Sequence, residues 1–277
     1  MNRYWKLLNW EMNRFAKFYG VLWLVTLLSQ FTGIFLYANA FMNRVHATIQ
    51  DSSLSEAEYA THFETASFES FSKSFWFVAP IALCIATLLL YVFLIWYREW
   101  FGKSTFIYRL LMLPTSRMNV YLAKTSAIFL FVLGLVAFQL LILIPEIQLF
   151  NYIIPSELRD SVSVAQLIRD HPLMNILIPQ YFIQFILYYG AGLMGVIVVF
   201  TAILLERSFK LKGMLAGVIY GVTVGFVLFL PILISVEWYP DFFYPSEIVM
   251  MEIAAGLLII CSSLWFSFYL LRKKITV

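Results

Sequence analysis

Six apolar stretches, each about as long as a helix needs to cross a bilayer, restrict this chain more than any other feature of its sequence. They run Val21–Phe41, Phe75–Tyr97, Thr125–Ile144, Ile176–Leu205, Met214–Val236 and Ile248–Leu271. A hydrocarbon core about 30 Å thick is crossed by about 20 residues of helix. The runs are continuously apolar rather than alternating. This argues against a β-barrel, the other backbone that satisfies its own hydrogen bonds in lipid. Composition agrees, with 62% hydrophobic and 13% charged residues against about 25% charged in an ordinary soluble domain. The expected fold is an all-α integral membrane protein, a single transmembrane domain over residues 1–277. The first run follows a basic, aromatic leader and has no small-residue cleavage site behind it, so it reads as a retained span rather than a signal peptide.

Charge sets the expected orientation. Arg3, Lys6, Arg14 and Lys17 precede span 1, and Arg98, Lys103, Arg109, Arg117 and Lys124 lie between spans 2 and 3. Arg207, Lys210 and Lys212 follow span 4, and Arg272, Lys273 and Lys274 follow span 6. The opposite side holds only Arg44, Lys73, Arg159 and Arg169, while Glu11, Glu99 and Glu206 are the only acids on the basic side. Basic segments stay in the cytoplasm, which makes the expectation N-in and C-in. The net charge of +3 thus conceals a strongly basic inner face, whose expected neighbour is anionic inner-leaflet lipid and not nucleic acid.

The connecting segments add detail. Residues 1–18 form an expected interfacial helix with Tyr4, Trp5, Leu8, Met12 and Phe15 on one arc and cations on the other; Trp10 and Glu11 fall on the wrong arcs. Met42–Ser74 reads as a small acidic outer cap with a capping signature at Ser53 and Glu56, and Asn151–Asn175 has a similar helix start at Ser163. His46, His62 and His171 lack metal-ligand spacing and read as surface histidines. Cys84 and Cys261 read as buried, inert thiols within spans. Between spans 2 and 3, residues 98–124 read as a cytoplasmic loop in which Thr105 caps a short amphipathic helix that ends before Pro114. That helix offers Phe106, Leu110 and Leu113 beside Arg109, a face suited to a soluble partner.

Gly102-Lys103-Ser104-Thr105 lacks the upstream glycine and strand of a phosphate-binding loop, because Tyr97 stands where the glycine belongs. No metalloprotease or nucleophile-elbow motif is present, so the chain is expected not to be an enzyme. No filter segment or charged pore face supports a channel, and no charge-lined midplane site supports a secondary transporter. Gly213, Gly217, Gly221 and Gly225 recur every four residues and mark a helix-packing seam, within the chain or between subunits. Gly190, Gly192 and Gly195 are read as a bend in span 4. A charge deep in lipid costs about 2.5–3.5 kcal/mol, so Glu146 and Glu252, both toward the outside, are read as carboxylates reaching interfacial water. Gln139, Gln184 and Tyr188 are deeper polar groups, candidates with Glu252 for a substrate path or for interhelical hydrogen bonding.

The segment Glu99…Gly102-Lys103…Leu110-Leu111…Leu113-Pro114-Thr115-Ser116-Arg117…Lys124, set in this topology, resembles type-2 ABC transporter permeases. The resemblance implies a permease subunit of an exporter for an amphipathic peptide, antimicrobial or lipid in a bacterial cytoplasmic membrane. It implies partnership with a second permease subunit and a cytosolic ATPase dimer that carries the ATP and magnesium, with no cofactor on this chain. The coupling residues it implies are Glu99, Phe106, Arg109, Leu110, Leu113, Pro114 and Arg117. Spans 1 and 5 commonly form the subunit seam in that family, which places the glycine stripe there. The alternative is a self-contained membrane immunity or sensor protein acting without an ATPase.

Overall fold

A computed structural model describes residues 3–52, 59, 62–63, 65–101, 112, 116–238 and 242–274. Its principal helices are α1 (Arg3–Ser52), α2 (Phe68–Ser72), α3 (Phe75–Phe101), α4 (Arg117–Ile153), α5 (Val164–Asp170), α6 (Pro172–Leu177), α7 (Phe182–Phe209), α8 (Leu211–Leu233) and α9 (Pro245–Lys273). A π turn, Ile234–Trp238, continues α8, and a 3-10 turn, Ser156–Leu158, follows α4. The strands β1 (Ala66–Ser67) and β2 (Arg159–Asp160) pair in parallel, Ala66 with Arg159 and Ser67 with Asp160. Six helices, namely α1, α3, α4, α7, α8 with its π turn, and α9, are long and apolar enough to cross a membrane. Pro80, Pro145 and Pro231 lie inside three of them, which membrane helices tolerate when neighbouring groups satisfy the freed carbonyls.

Helix boundaries differ from the sequence expectation in two places. Residues 3–18 are the first turns of α1 and not a helix of their own, because α1 runs unbroken for 50 residues. Only Gly20 interrupts the helix formers between Lys17 and Val21, and one glycine costs about 1 kcal/mol relative to alanine, too little to stop a helix. The fourth apolar stretch breaks between α6 and α7, at Ile178–Tyr181, and not at its glycines. Pro179 pushes Ile178 out of the helical region, to φ −129° and ψ 73°, as expected for a residue before proline.

Contacts divide the chain into two compact units, Met1–Asn13 with Leu89–Phe129 and Ile183–Val277, and Arg14–Leu88 with Leu130–Phe182. The second has an aromatic core in which Phe68 meets Phe71, Phe77 and Phe150 at 5.5, 6.4 and 5.5 Å. Ile34, Val45, Leu143, Leu158, Leu167 and Met174 are among the other buried members. For those outside the candidate spans, Phe68, Phe71, Leu158, Leu167 and Met174, burial contributes about 1.5–3 kcal/mol each relative to exposure in water. Ser163 caps α5 by accepting from the Gln166 amide at 3.2 Å, as its sequence signature anticipates; Ser53 and Glu56 lie outside the described residues.

His171 is not a surface histidine: it is 3% exposed and joins α5 to α6. Its Nε2 donates to the Ser72 carbonyl at 3.0 Å, and its Nδ1 accepts from the Met174 amide at 3.4 Å. His46 and His62 are exposed. Of the two thiols, Cys84 is buried but Cys261 is exposed on α9.

Candidate functional site

In the first unit, Leu8 and Glu11 face inward from α1, one helical turn apart. Glu11 departs from the leader's amphipathic pattern because it is an ion-pair residue. Its carboxylate lies 2.6 Å from the Lys124 ammonium, which also lies 2.8 Å from Glu99. Lys124 and Glu99 are fully buried and Glu11 nearly so. The third hydrogen bond of the ammonium goes to the Ile95 carbonyl at 3.1 Å, so all three donors of the lysine are used.

Aromatic side chains wall the cluster. The Lys124 ammonium sits 5.3 Å from the centre of the Trp96 ring, and Trp96, Tyr121 and Phe200 form a mutually packed trio. Tyr4 adds a second tie between α1 and α4 by donating to the Ser126 hydroxyl at 2.8 Å. A buried ion pair is a weak source of net stability, but removing one partner leaves an uncompensated charge. The arrangement therefore fixes α1, α3 and α4 in one register at this point.

Two further polar clusters hold the same unit. Tyr97 donates to Glu206, and the Arg207 guanidinium lies 4.9 and 5.5 Å from the Tyr97 and Trp100 ring centres. Thr201 on α7 meets the Ser267 hydroxyl on α9 at 2.9 Å, while Tyr220 on α8 bonds Ser263. Interhelical hydrogen bonds of this kind join helices where lipid supplies no hydrophobic driving force.

The residues singled out in the sequence are dispersed. Glu99 joins the ion cluster, and Arg117 donates to the Leu271 carbonyl at 2.6 Å. Phe106, Arg109, Leu110, Leu113 and Pro114, with the Thr105 cap, lie outside the described residues. A Cβ on Gly213 would overlap the Leu205 carbonyl oxygen, and one on Gly217 would come 3.2 Å from that of Ala202. Gly221 and Gly225 face open space. The stripe thus divides into a pair that packs α8 against α7 and a pair that packs against nothing among the described residues.

Gln139, on the second unit, is buried and exchanges hydrogen bonds with Gln30 at 3.2 and 3.4 Å. Gln184 and Glu252 are half-buried and Tyr188 exposed, all on the first unit. Glu146 does not reach interfacial water: it is fully buried, and neither carboxylate oxygen has a hydrogen-bond partner among the described residues. It follows Gln139 and Leu143 along the buried face of α4 at helical spacing, so the helix turns it inward.

Among the described residues no three His, Cys, Asp or Glu side chains gather as metal ligands. Gln30 and the Thr201–Ser263–Ser267–Tyr220 group are absent from the sequence expectation, which marks Glu11 only as an acid on the wrong arc. Each is a polar residue interrupting an apolar helical face, and that is the signal such residues carry. The fold is that of an all-α chain with six helices able to cross a membrane, which points to a multi-pass membrane protein. No family model, curated protein or solved structure matches the chain.

Proposed function

We propose that the chain is the membrane-spanning subunit of an ATP-driven exporter, N-in and C-in in a bacterial cytoplasmic membrane. It pairs with a second permease subunit and with a cytosolic ATPase dimer, and it moves an amphipathic peptide, antimicrobial or lipid. The observation that carries this reading is the contact of Glu99 with Lys124 at 2.8 Å. These residues bound the segment that resembles the permease coupling loop, so a displacement of that segment bears on both helices that flank it.

Glu11 extends the linkage to α1 through the same ammonium. A buried cluster whose ammonium has all three donors engaged resists being pulled apart, and a push on residues 102–115 reaches three membrane-spanning helices together. A docked ATPase shifts the spans only through contacts that differ between its open and closed states. Phe106, Arg109, Leu110 and Leu113 are the side chains proposed to make them.

The test is binding of the ATPase subunit to the detergent-solubilised protein, wild type against Arg109→Glu combined with Leu113→Asp. The reading requires loss of binding with helix content retained. Unaltered binding removes the coupling assignment.

A further inference from the structure

We infer that a pocket between the start of α4 and the end of α9 binds the phosphate of an anionic lipid headgroup. Ser116, Arg117 and Met118 line it from one side and Phe268, Leu271 and Arg272 from the other, around a half-open cavity of about 470 Å³. This inference rests on the membrane-embedded reading of the chain but not on the ATPase partnership.

The lining is chemically divided. Two guanidiniums and a hydroxyl stand against Met118, Phe268 and Leu271, and no carboxylate appears among the described residues that line the cavity. Arg117 is anchored through its bond to the Leu271 carbonyl, while Arg272 is exposed and lies 5.9 Å from the Phe268 ring centre. A guanidinium presents five donors in a planar fork, the geometry that takes phosphate oxygens two at a time. Lys273 and Lys274 extend the positive field over Tyr269 and Phe209, and neither they nor Arg272 form an ion pair among the described residues.

Cations at the end of α9 are favoured by its own dipole, which accounts for some charge there but not for a cavity. Nor does it account for Arg117, which stands at the opposite pole of another helix. The apolar half of the pocket distinguishes the two sources of phosphate. A free anion gains nothing from Met118, Phe268 and Leu271, whereas the glycerol and first acyl carbons of a phospholipid do. Basic pockets between membrane helices are a recurrent form of headgroup site.

The experiment is native mass spectrometry of the full-length protein in detergent, titrated separately with phosphatidylglycerol, phosphatidylcholine and inorganic phosphate. The expected result is saturable binding of phosphatidylglycerol about tenfold tighter than phosphatidylcholine, weakened about tenfold by Arg272→Gln and less by Arg272→Lys. Lys73→Gln, on the second unit, should leave binding unchanged. Arg117→Gln also removes the bond to Leu271; where it lowers the unfolding temperature, Arg272→Gln alone decides. Equal binding of the two lipids, or no effect of Arg272→Gln, overturns the site. Inorganic phosphate binding as tightly as the lipid overturns the headgroup assignment.

Discussion

Glu11 and Lys124, 113 positions apart, meet at 2.6 Å inside the protein. Neither side chain has appreciable access to solvent, and the same ammonium lies 2.8 Å from Glu99. Lys124→Met would leave two buried carboxylates facing each other. The expected loss is about 3–5 kcal/mol of stability. The triple change Glu11→Gln, Lys124→Met and Glu99→Gln should recover most of it, because it removes the uncompensated charges together. Thermal unfolding of the purified variants in one detergent checks both, and additive losses in the triple variant would contradict the account.

The Gln30–Gln139 pair gives a second non-additive set. Gln30→Leu or Gln139→Leu alone strands a buried amide and should cost about 1–2 kcal/mol, while the double variant should cost less than the sum. A double-mutant cycle on chemical unfolding reads the coupling directly.

The glycine stripe divides by position. Gly213→Ala drives a methyl into the backbone of α7 and should destabilise by about 1–3 kcal/mol. Gly221→Ala meets nothing among the described residues and, by helix propensity, should be neutral or stabilising by up to about 1 kcal/mol. If Gly221 and Gly225 form the seam with a second permease subunit, Gly221→Leu should lower self-association in crosslinking without lowering the unfolding temperature of the monomer.

Lys210, the single residue joining α7 to α8, has φ +54° and ψ −127°, a conformation that strains a residue carrying a Cβ. Lys210→Gly removes about 1–3 kcal/mol of strain and restores about 0.4–1 kcal/mol of unfolded-chain entropy. The expected outcome is a net gain near 1 kcal/mol, seen as a higher unfolding temperature. Lys210→Val should lower it.

The helices long and apolar enough to cross a membrane were legible because hydropathy is a property of each segment alone. The break before α7 was legible too, since Pro179 is a local signal, but the glycines drew attention instead. Continuity of α1 was missed because a change from basic to apolar composition marks a change of surroundings, not a break in hydrogen bonding. Glu11 stands out as a misplaced acid, yet its partner is distant in sequence, and nothing local pairs it with Lys124. For His171, in an outer loop, and Glu146, at the outer end of span 3, position along the chain points to solvent. Helical phase and the packing of the aromatic core decide otherwise.

The most direct test of the exporter reading is affinity purification of the tagged protein from its native membrane in mild detergent, with mass spectrometry of the proteins that accompany it. Stoichiometric recovery of a soluble ATP-binding subunit is the predicted result. Recovery of the intact protein without an ATPase would contradict the reading and favour a self-contained membrane protein.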